Sequence, residues 1–211
     1  LVIDKGAPLD RRLCPIKKGA GNCLKCSPCH IMNGYGGAGT LSDGKYNITT
    51  QFGGDLHNYV GTDKALELME YVDDVLCSMG GADAKLYSTA SSELKTMALR
   101  NDLHLLEAKV RHLGTDRNVK ILGRIYEFCR EKIEMMFYST IDDVTVEDDG
   151  SFTVVTDRGE IFGCRDLVLA MGRSGSKQIG YVCDKLGIMQ KKNRVDIGVR
   201  VELPAEVFKD I

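Results

Sequence analysis

Apolar positions recur along this chain with two periods, and the alternation between them predicts its elements. Over 62–80, Ala65, Leu66, Met69, Val72, Leu76 and Met79 return every three or four residues, so they share one face of a helix that Gly80 and Gly81 end. Thr62 and Asp63 offer side-chain oxygens to its first free N–H groups. A weaker helix follows Ser91 or Ser92 through Leu94, Met97 and Ala98. In the next helix, which Thr115 or Asp116 can cap, Ile121, Leu122, Ile125, Phe128 and Cys129 form another core stripe. A last helix covers 176–186.

Between these helices the pattern shifts to short apolar and β-branched runs. Leu1-Val2-Ile3 opens the chain as a strand ending in Asp4-Lys5-Gly6, and 103–113 reads as a strand into Arg111-His112-Leu113-Gly114. Strands over 136–146, 152–156 and 161–164 are separated by Asp148-Asp149-Gly150 and Asp157-Arg158-Gly159, the residue types of tight antiparallel turns. Leu167-Val168-Leu169-Ala170 is a buried-strand run that returns to a parallel sheet before the turn Gly172, Arg173, Ser174, Gly175. A strand over 195–201 leads away through Glu202-Leu203-Pro204. Strands and helices alternating in this way predict an α/β fold.

Gly34 to Asn47, GYGGAGTLSDGKYN, breaks both periods. Its five glycines, Gly34, Gly36, Gly37, Gly39 and Gly44, leave backbone N–H groups open to close approach by an anionic ligand, although glycine clusters also make plain turns. The opening strand raises the first reading. An apolar run ending in Asp4 and followed by glycine is how the second strand of a dinucleotide-binding fold offers a carboxylate to ribose hydroxyls. An exposed strand-end acid is the plain alternative.

Composition narrows the class without naming it. Twenty-three glycines among 211 residues sit in turns rather than in a repeat, and 28 basic against 30 acidic residues give a net charge of −2 with no long charged block. Neither nucleic acid nor an anionic membrane surface is suggested as a partner. No stretch reaches the length of a membrane span, so the expectation is a soluble, cytoplasmic protein.

The eight cysteines divide into two groups. Cys23, Cys26 and Cys29 stand at C-x-x-C-x-x-C spacing, which lets thiols converge on one metal, with Cys14 or His30 available as a fourth ligand. Iron–sulfur cluster, structural zinc and redox-active free thiols are the three open readings; the Cys-Pro pair lies upstream rather than downstream, unlike the ferredoxin run. Cys77, Cys129, Cys164 and Cys183 fall within apolar patterns and read as small core residues. His112 is either a titratable group for acid–base work or a structural histidine, since its immediate neighbours supply no partner to tune it, while His57 and His104 carry less signal. Lys45 is either a cofactor-tuning cation or a solvated loop lysine.

Taken together, DKG, the cysteine triplet, GGAGTLSDGKYN, RHLGTD, LAMGRSG and DIGVRVELP resemble the FAD-dependent, NAD(FAD)-utilising dehydrogenases among the glutathione-reductase-like flavoproteins. The resemblance covers nearly the whole chain. It implies a Rossmann-type FAD-binding fold with an antiparallel β-meander, whose first βα unit and main pyrophosphate loop would precede Leu1. FAD-binding parts would span 1–54 and 116–190, around a mainly helical insertion over 55–115, with a substrate domain beginning at 191–211. It also implies FAD-dependent oxidoreduction through the flavin, with NAD(P)H and a small-molecule substrate as reactants and a redox protein as a further partner.

The same resemblance carries roles onto residues. Asp4 and Lys5 would meet the adenosine ribose, and Gly36, Gly37, Ala38, Gly39, Ser42, Asp43, Gly44, Lys45 and Asn47 would line the flavin and pyrophosphate. Ile141 would clasp the adenine, and Ala170, Gly172, Arg173, Ser174 and Gly175 would close the cofactor site. Lys45 and His112 are the catalytic candidates, with Arg111 on the substrate side; Arg200 either faces substrate or is a surface charge. Tyr46 stands where relatives carry Leu. The competing class is a metal- or cluster-binding module centred on Cys14, Cys23, Cys26 and Cys29, with flavin secondary or absent.

Overall fold

A computed structural model describes residues 1–191, 197–199 and 202–207. It is a mixed α/β arrangement of three small sheets. Strand β1 (Val2–Asp4) pairs in parallel with β5 (Met135–Phe137), matching Val2 to Met135 and Asp4 to Phe137. Strand β4 (Lys109–His112) lies between β2 (Lys45–Ile48) and β3 (Leu86–Ser88), antiparallel to both. The meander β6 (Ile141–Val146), β7 (Phe152–Thr156) and β8 (Ile161–Cys164) forms the third sheet.

Five helices accompany these sheets among the described residues: α1 (His57–Val60), α2 (Thr62–Leu76), α3 (Ser92–Arg100), α4 (Thr115–Arg130) and α5 (Ser176–Lys185). The main core gathers Leu76 of α2, Ala84, Leu113 and Ile121 of α4, with Tyr46, Met79 and Ile125 packed against it. It therefore lies where α2 and α4 cover the sheet of β2, β4 and β3. The meander has its own buried pair, Val144 and Val154, opposite each other on β6 and β7. Helix α5 docks beside it through Lys185 Nζ to Asp143 Oδ1 at 2.5 Å and Gln178 Nε2 to the Asp142 carbonyl at 3.3 Å.

The structure corrects several expected details, each for a local reason. Helix α2 ends at Leu76 in a wide turn over Cys77–Gly81, and its buried stripe runs through Ala65, Asp73 and Leu76 while Val72 is exposed. Phe128 of α4 is likewise exposed. The caps of α2 and α4 are Gly61 and Gly114, both at positive φ, so Thr62, Asp63, Thr115 and Asp116 fall inside the first turns instead of capping them. Ser91 does cap α3, accepting from the Leu94 N–H at 3.2 Å.

Three strand expectations also change. The run 136–146 splits, because Tyr138 takes φ 56°, a left-handed conformation that no strand sustains; β5 joins the parallel pair and β6 the meander. Only the end of 103–113 becomes a strand, β4. The run 167–170 forms no strand among the described residues, since a strand exists only against a hydrogen-bonded neighbour, and Val168 is 86% exposed. The stretch 55–115 supplies β3 and β4 besides its helices. Most of the expected strand over 195–201, and Arg200 with it, lies outside the described residues.

Candidate functional site

The site starts at the end of β1. Asp4 Oδ1 accepts hydrogen bonds from the Gly6 N–H at 2.7 Å and from the Gly34 N–H at 3.1 Å, so one carboxylate oxygen joins the strand end to the start of the glycine stretch. The other oxygen, Oδ2, has no hydrogen-bond partner among the described residues. Lys5 Nζ donates to the Ser174 carbonyl at 3.1 Å, and Ser174 Oγ bonds Asn33 Oδ1 at 2.6 Å. Four stretches distant in sequence thus meet: 4–6, 33–34, 138–139 and 174. The N–H of Ser139 completes the set by donating to the Asp4 carbonyl at 3.2 Å, which puts Ile141, the first residue of β6, two positions away.

Arg12 holds the loop that leads into this junction. It is 4% exposed and donates to three backbone carbonyls: His30 at 3.1 Å, Ile31 at 2.7 Å and Tyr35 at 2.6 Å. Burial lowers its pKa from the ordinary arginine value, opposed by the charges of Asp4 and Cys29. A guanidinium spent on three carbonyls organises backbone rather than waiting for a ligand.

Beyond Gly34 the chain runs Gly36 to Leu41 as a tight turn, with Gly36 at φ 75° and Gly37 at φ 62°. A Cβ at Gly37 or at Gly39 would project into open space, so the strip presents bare backbone to whatever lies beside it. Asn118 of α4, fully buried, fixes the strip from behind: its Nδ2 donates to the carbonyls of Gly39 at 2.8 Å and Thr40 at 3.1 Å, and its Oδ1 accepts from Tyr46 Oη at 2.8 Å. Tyr46 therefore has a defined contact, and its burial raises its pKa.

Tyr35 anchors the same strip to α4 by an edge-on contact with Tyr126, ring centres 4.7 Å apart. Burial first, then the Cys129 side chain, pushes the Tyr35 hydroxyl up to about 12. The fold favours the neutral phenol, so its contribution is complete below the unfolded value near 10 and is lost as pH rises from about 10 to 12. Tyr35→Phe keeps the ring contact and is expected to flatten that alkaline loss; urea-unfolding midpoints at pH 9 and pH 11 measure it, and equal slopes for both proteins would refute it.

A second cluster forms where β2 pairs with β4. Lys45 faces His112 across the sheet, Lys45 Nζ lies 3.2 Å from Asp43 Oδ2, and His112 Nε2 lies 3.8 Å from the same oxygen. All three side chains are well exposed, so the contacts contribute little stability and leave the groups free to act on a ligand. Asp43 is the partner for His112 that its immediate neighbours lack. Lys45 and Asn47 point to the exposed side of β2, while Tyr46 and Ile48 point to the covered side. Ser42 Oγ closes the preceding turn by donating to the Gly39 carbonyl at 2.7 Å and accepting from the Gly44 N–H at 3.2 Å.

Arg111 does not belong to this cluster, which corrects its place on the substrate side. Its side chain is buried, with Nε donating to Asp73 Oδ1 at 2.5 Å, Nη2 to Asp73 Oδ2 at 2.7 Å and Nη1 to the Ala84 carbonyl at 2.5 Å. The bond to Asp73, more than the pair's charge, raises its pKa. It pins α2 to the sheet.

No protein-family profile matches the chain. It is similar to a protein of Clostridium beijerinckii described only as an uncharacterized protein, with 26% identity over 213 residues that cover 99% of this chain and 32% of that one. The chain thus spans about a third of the length of this relative.

Around the closing turn, Gly172 takes φ 63° and Arg173–Gly175 form a single tight turn into α5, with Ala170 exposed ahead of it. All eight cysteines are free thiols; Cys23 is exposed, and Cys14, Cys26 and Cys29 are half-buried. Among the described residues no three His, Cys, Asp or Glu side chains are grouped to hold a metal ion. Cys77, Cys129, Cys164 and Cys183 are half-buried rather than core. No helix among the described residues is long and apolar enough to cross a membrane.

Proposed function

We propose that the protein is an FAD-dependent oxidoreductase of the glutathione-reductase-like type. The observation that carries this reading is the junction at the end of β1, where Asp4, Gly34 and Ser174 are tied together by Asp4 Oδ1 and Lys5 Nζ. A carboxylate with one oxygen held by backbone N–H groups and the other open suits a ribose diol. The bare strip at Gly37 and Gly39 suits a flat ring system or a pyrophosphate, because no side chain would keep either away. Flavin supplies the transfer of a hydride or electron pair when bound, drawn from a substrate or a nicotinamide.

The residues of this chain then hold and tune. Asp4 and Lys5 would hold the ribose, Gly36, Gly37, Ala38 and Gly39 would offer bare backbone to the flavin or pyrophosphate, and Gly172 to Gly175 would close the cofactor site. Lys45 brings positive charge toward a reduced, anionic ring system. His112, paired with Asp43, takes up or releases a proton on the substrate. Asp4→Ala removes the open carboxylate oxygen and the ties to the Gly6 and Gly34 N–H groups, and is expected to lower flavin retained after purification about tenfold or more. Flavin per chain, measured by absorbance after denaturation, decides it; retention equal to the parent protein would remove Asp4 from the site.

A further inference from the structure

A cleft of about 520 Å³ lies against α4, on the face formed by Arg117, Lys120, Ile121 and Arg124. Their spacing of three, one and three residues puts all four on one side of the helix. We propose that this cleft binds a small organic anion, its acidic group held between Lys120 and Arg124 and its apolar body resting over Leu113 and Ile121. The volume is that of an ordinary small-molecule site. The proposed cofactor set shares no residue with it, so this inference and the flavin reading fail independently.

Three cations and two carboxylates line the cleft. Arg117 is neutralised by Asp83, Nη1 to Oδ1 at 2.9 Å. Asp116 is the second acid, exposed on the first turn of α4. Lys120 has no ion-pair or hydrogen-bond partner among the described residues, so its charge is available. Arg124 is positioned by its backbone neighbour: Nη1 donates to the Met79 carbonyl at 2.7 Å, leaving Nε and Nη2 for a ligand.

Gly80 makes that placement possible. A Cβ there would sit 1.8 Å from Arg124 Nη1, so any other residue would push the guanidinium out of its present position. At the bottom of the cleft only the edges of Leu113 and Ile121 show, 6% and 1% exposed and both members of the main core, so the floor is narrow and apolar. An anion with an apolar body satisfies the cationic wall and this floor together; a neutral analogue satisfies only the floor.

The test uses the complete chain, ¹⁵N-labelled, titrated with benzoate, and with benzyl alcohol as the uncharged analogue. Benzoate is expected to shift the amide resonances of Gly114 and Thr115 saturably, with a Kd of about 1 mM. Benzyl alcohol should bind at least about tenfold more weakly, and Lys120→Glu should weaken benzoate by about tenfold or more. Lys120 is exposed, so that variant folds; Arg124→Gln, checked by an unchanged amide spectrum elsewhere, repeats the test from the other cation. Absence of a saturable shift at roughly twentyfold higher benzoate, equal binding of the alcohol, or unchanged affinity in Lys120→Glu would each overturn the proposal.

Discussion

Asp73→Ala is expected to lower the unfolding free energy by about 3–5 kcal/mol, among the largest losses any single replacement in this chain will cause. Asp73 and Arg111 are both under a tenth exposed and joined by two hydrogen bonds, so removing the acid leaves a buried guanidinium with only the Ala84 carbonyl. A cation taken from water without a counter-charge costs several kcal/mol, far more than the pair contributes relative to an apolar substitute. The same argument predicts the rescue. Asp73→Leu combined with Arg111→Met should recover most of the loss, because the pair is then replaced by apolar groups of similar size. Urea unfolding of the three proteins measures both effects; a loss under about 1 kcal/mol for Asp73→Ala would mean that water reaches Arg111 freely.

Gly6→Ala strikes at the junction itself. A Cβ on residue 6 would lie 2.2 Å from the Gly34 nitrogen, 2.5 Å from the Asn33 carbonyl carbon and 2.6 Å from the Gly34 Cα. These are backbone atoms in a loop that Arg12 holds at three carbonyls, so no rotamer change relieves the overlap. The loop must part from β1, and the hydrogen bond from the Gly34 N–H to Asp4 goes with it. Overpacking of this kind costs about 1–3 kcal/mol. Flavin retained per chain should fall by about tenfold or more, since the ribose carboxylate and the glycine strip lose their register. A variant as stable and as yellow as the parent would mean that residues 6 and 34 do not touch.

Much of the architecture was legible in the residues because it depends on neighbours in sequence. Helical stripes announced α2 and α4, Ser91 or Ser92 marked the start of α3, and Asp149 and Gly150 announced the turn between β6 and β7. The junction was legible in part: Asp4 before Gly6 and the glycine run beginning at Gly34 each pointed to a ligand-holding backbone, although only the fold brings them within hydrogen-bonding reach.

What stayed hidden depends on partners remote in sequence. Asn118 looks like a polar residue on a helix, yet it is buried because two carbonyls of the glycine strip and Tyr46 meet it there. Asp43 stands in a glycine turn, and only the pairing of β2 with β4 carries it to His112. One signal was available for Arg111. Asp73 sits four residues after Met69 and three before Leu76, on the apolar face of α2, and an acid in that position calls for a buried cation. The run 167–170 misled for the opposite reason: its composition is that of a buried strand, but pairing decides strands, and among the described residues it has no neighbour.

The central claim is that the junction of β1, the glycine strip and the closing turn holds a flavin. Its most direct test is the absorption spectrum of the protein at its natural length, purified without oxygen and recorded before and after dithionite, with iron and zinc determined on the same sample. Two flavin bands that bleach on reduction, with no metal, are the expected result, and they would leave the loop of Cys23, Cys26 and Cys29 as free thiols. Iron accompanied by a broad absorbance and no flavin bands would contradict the account and move the functional centre to that loop.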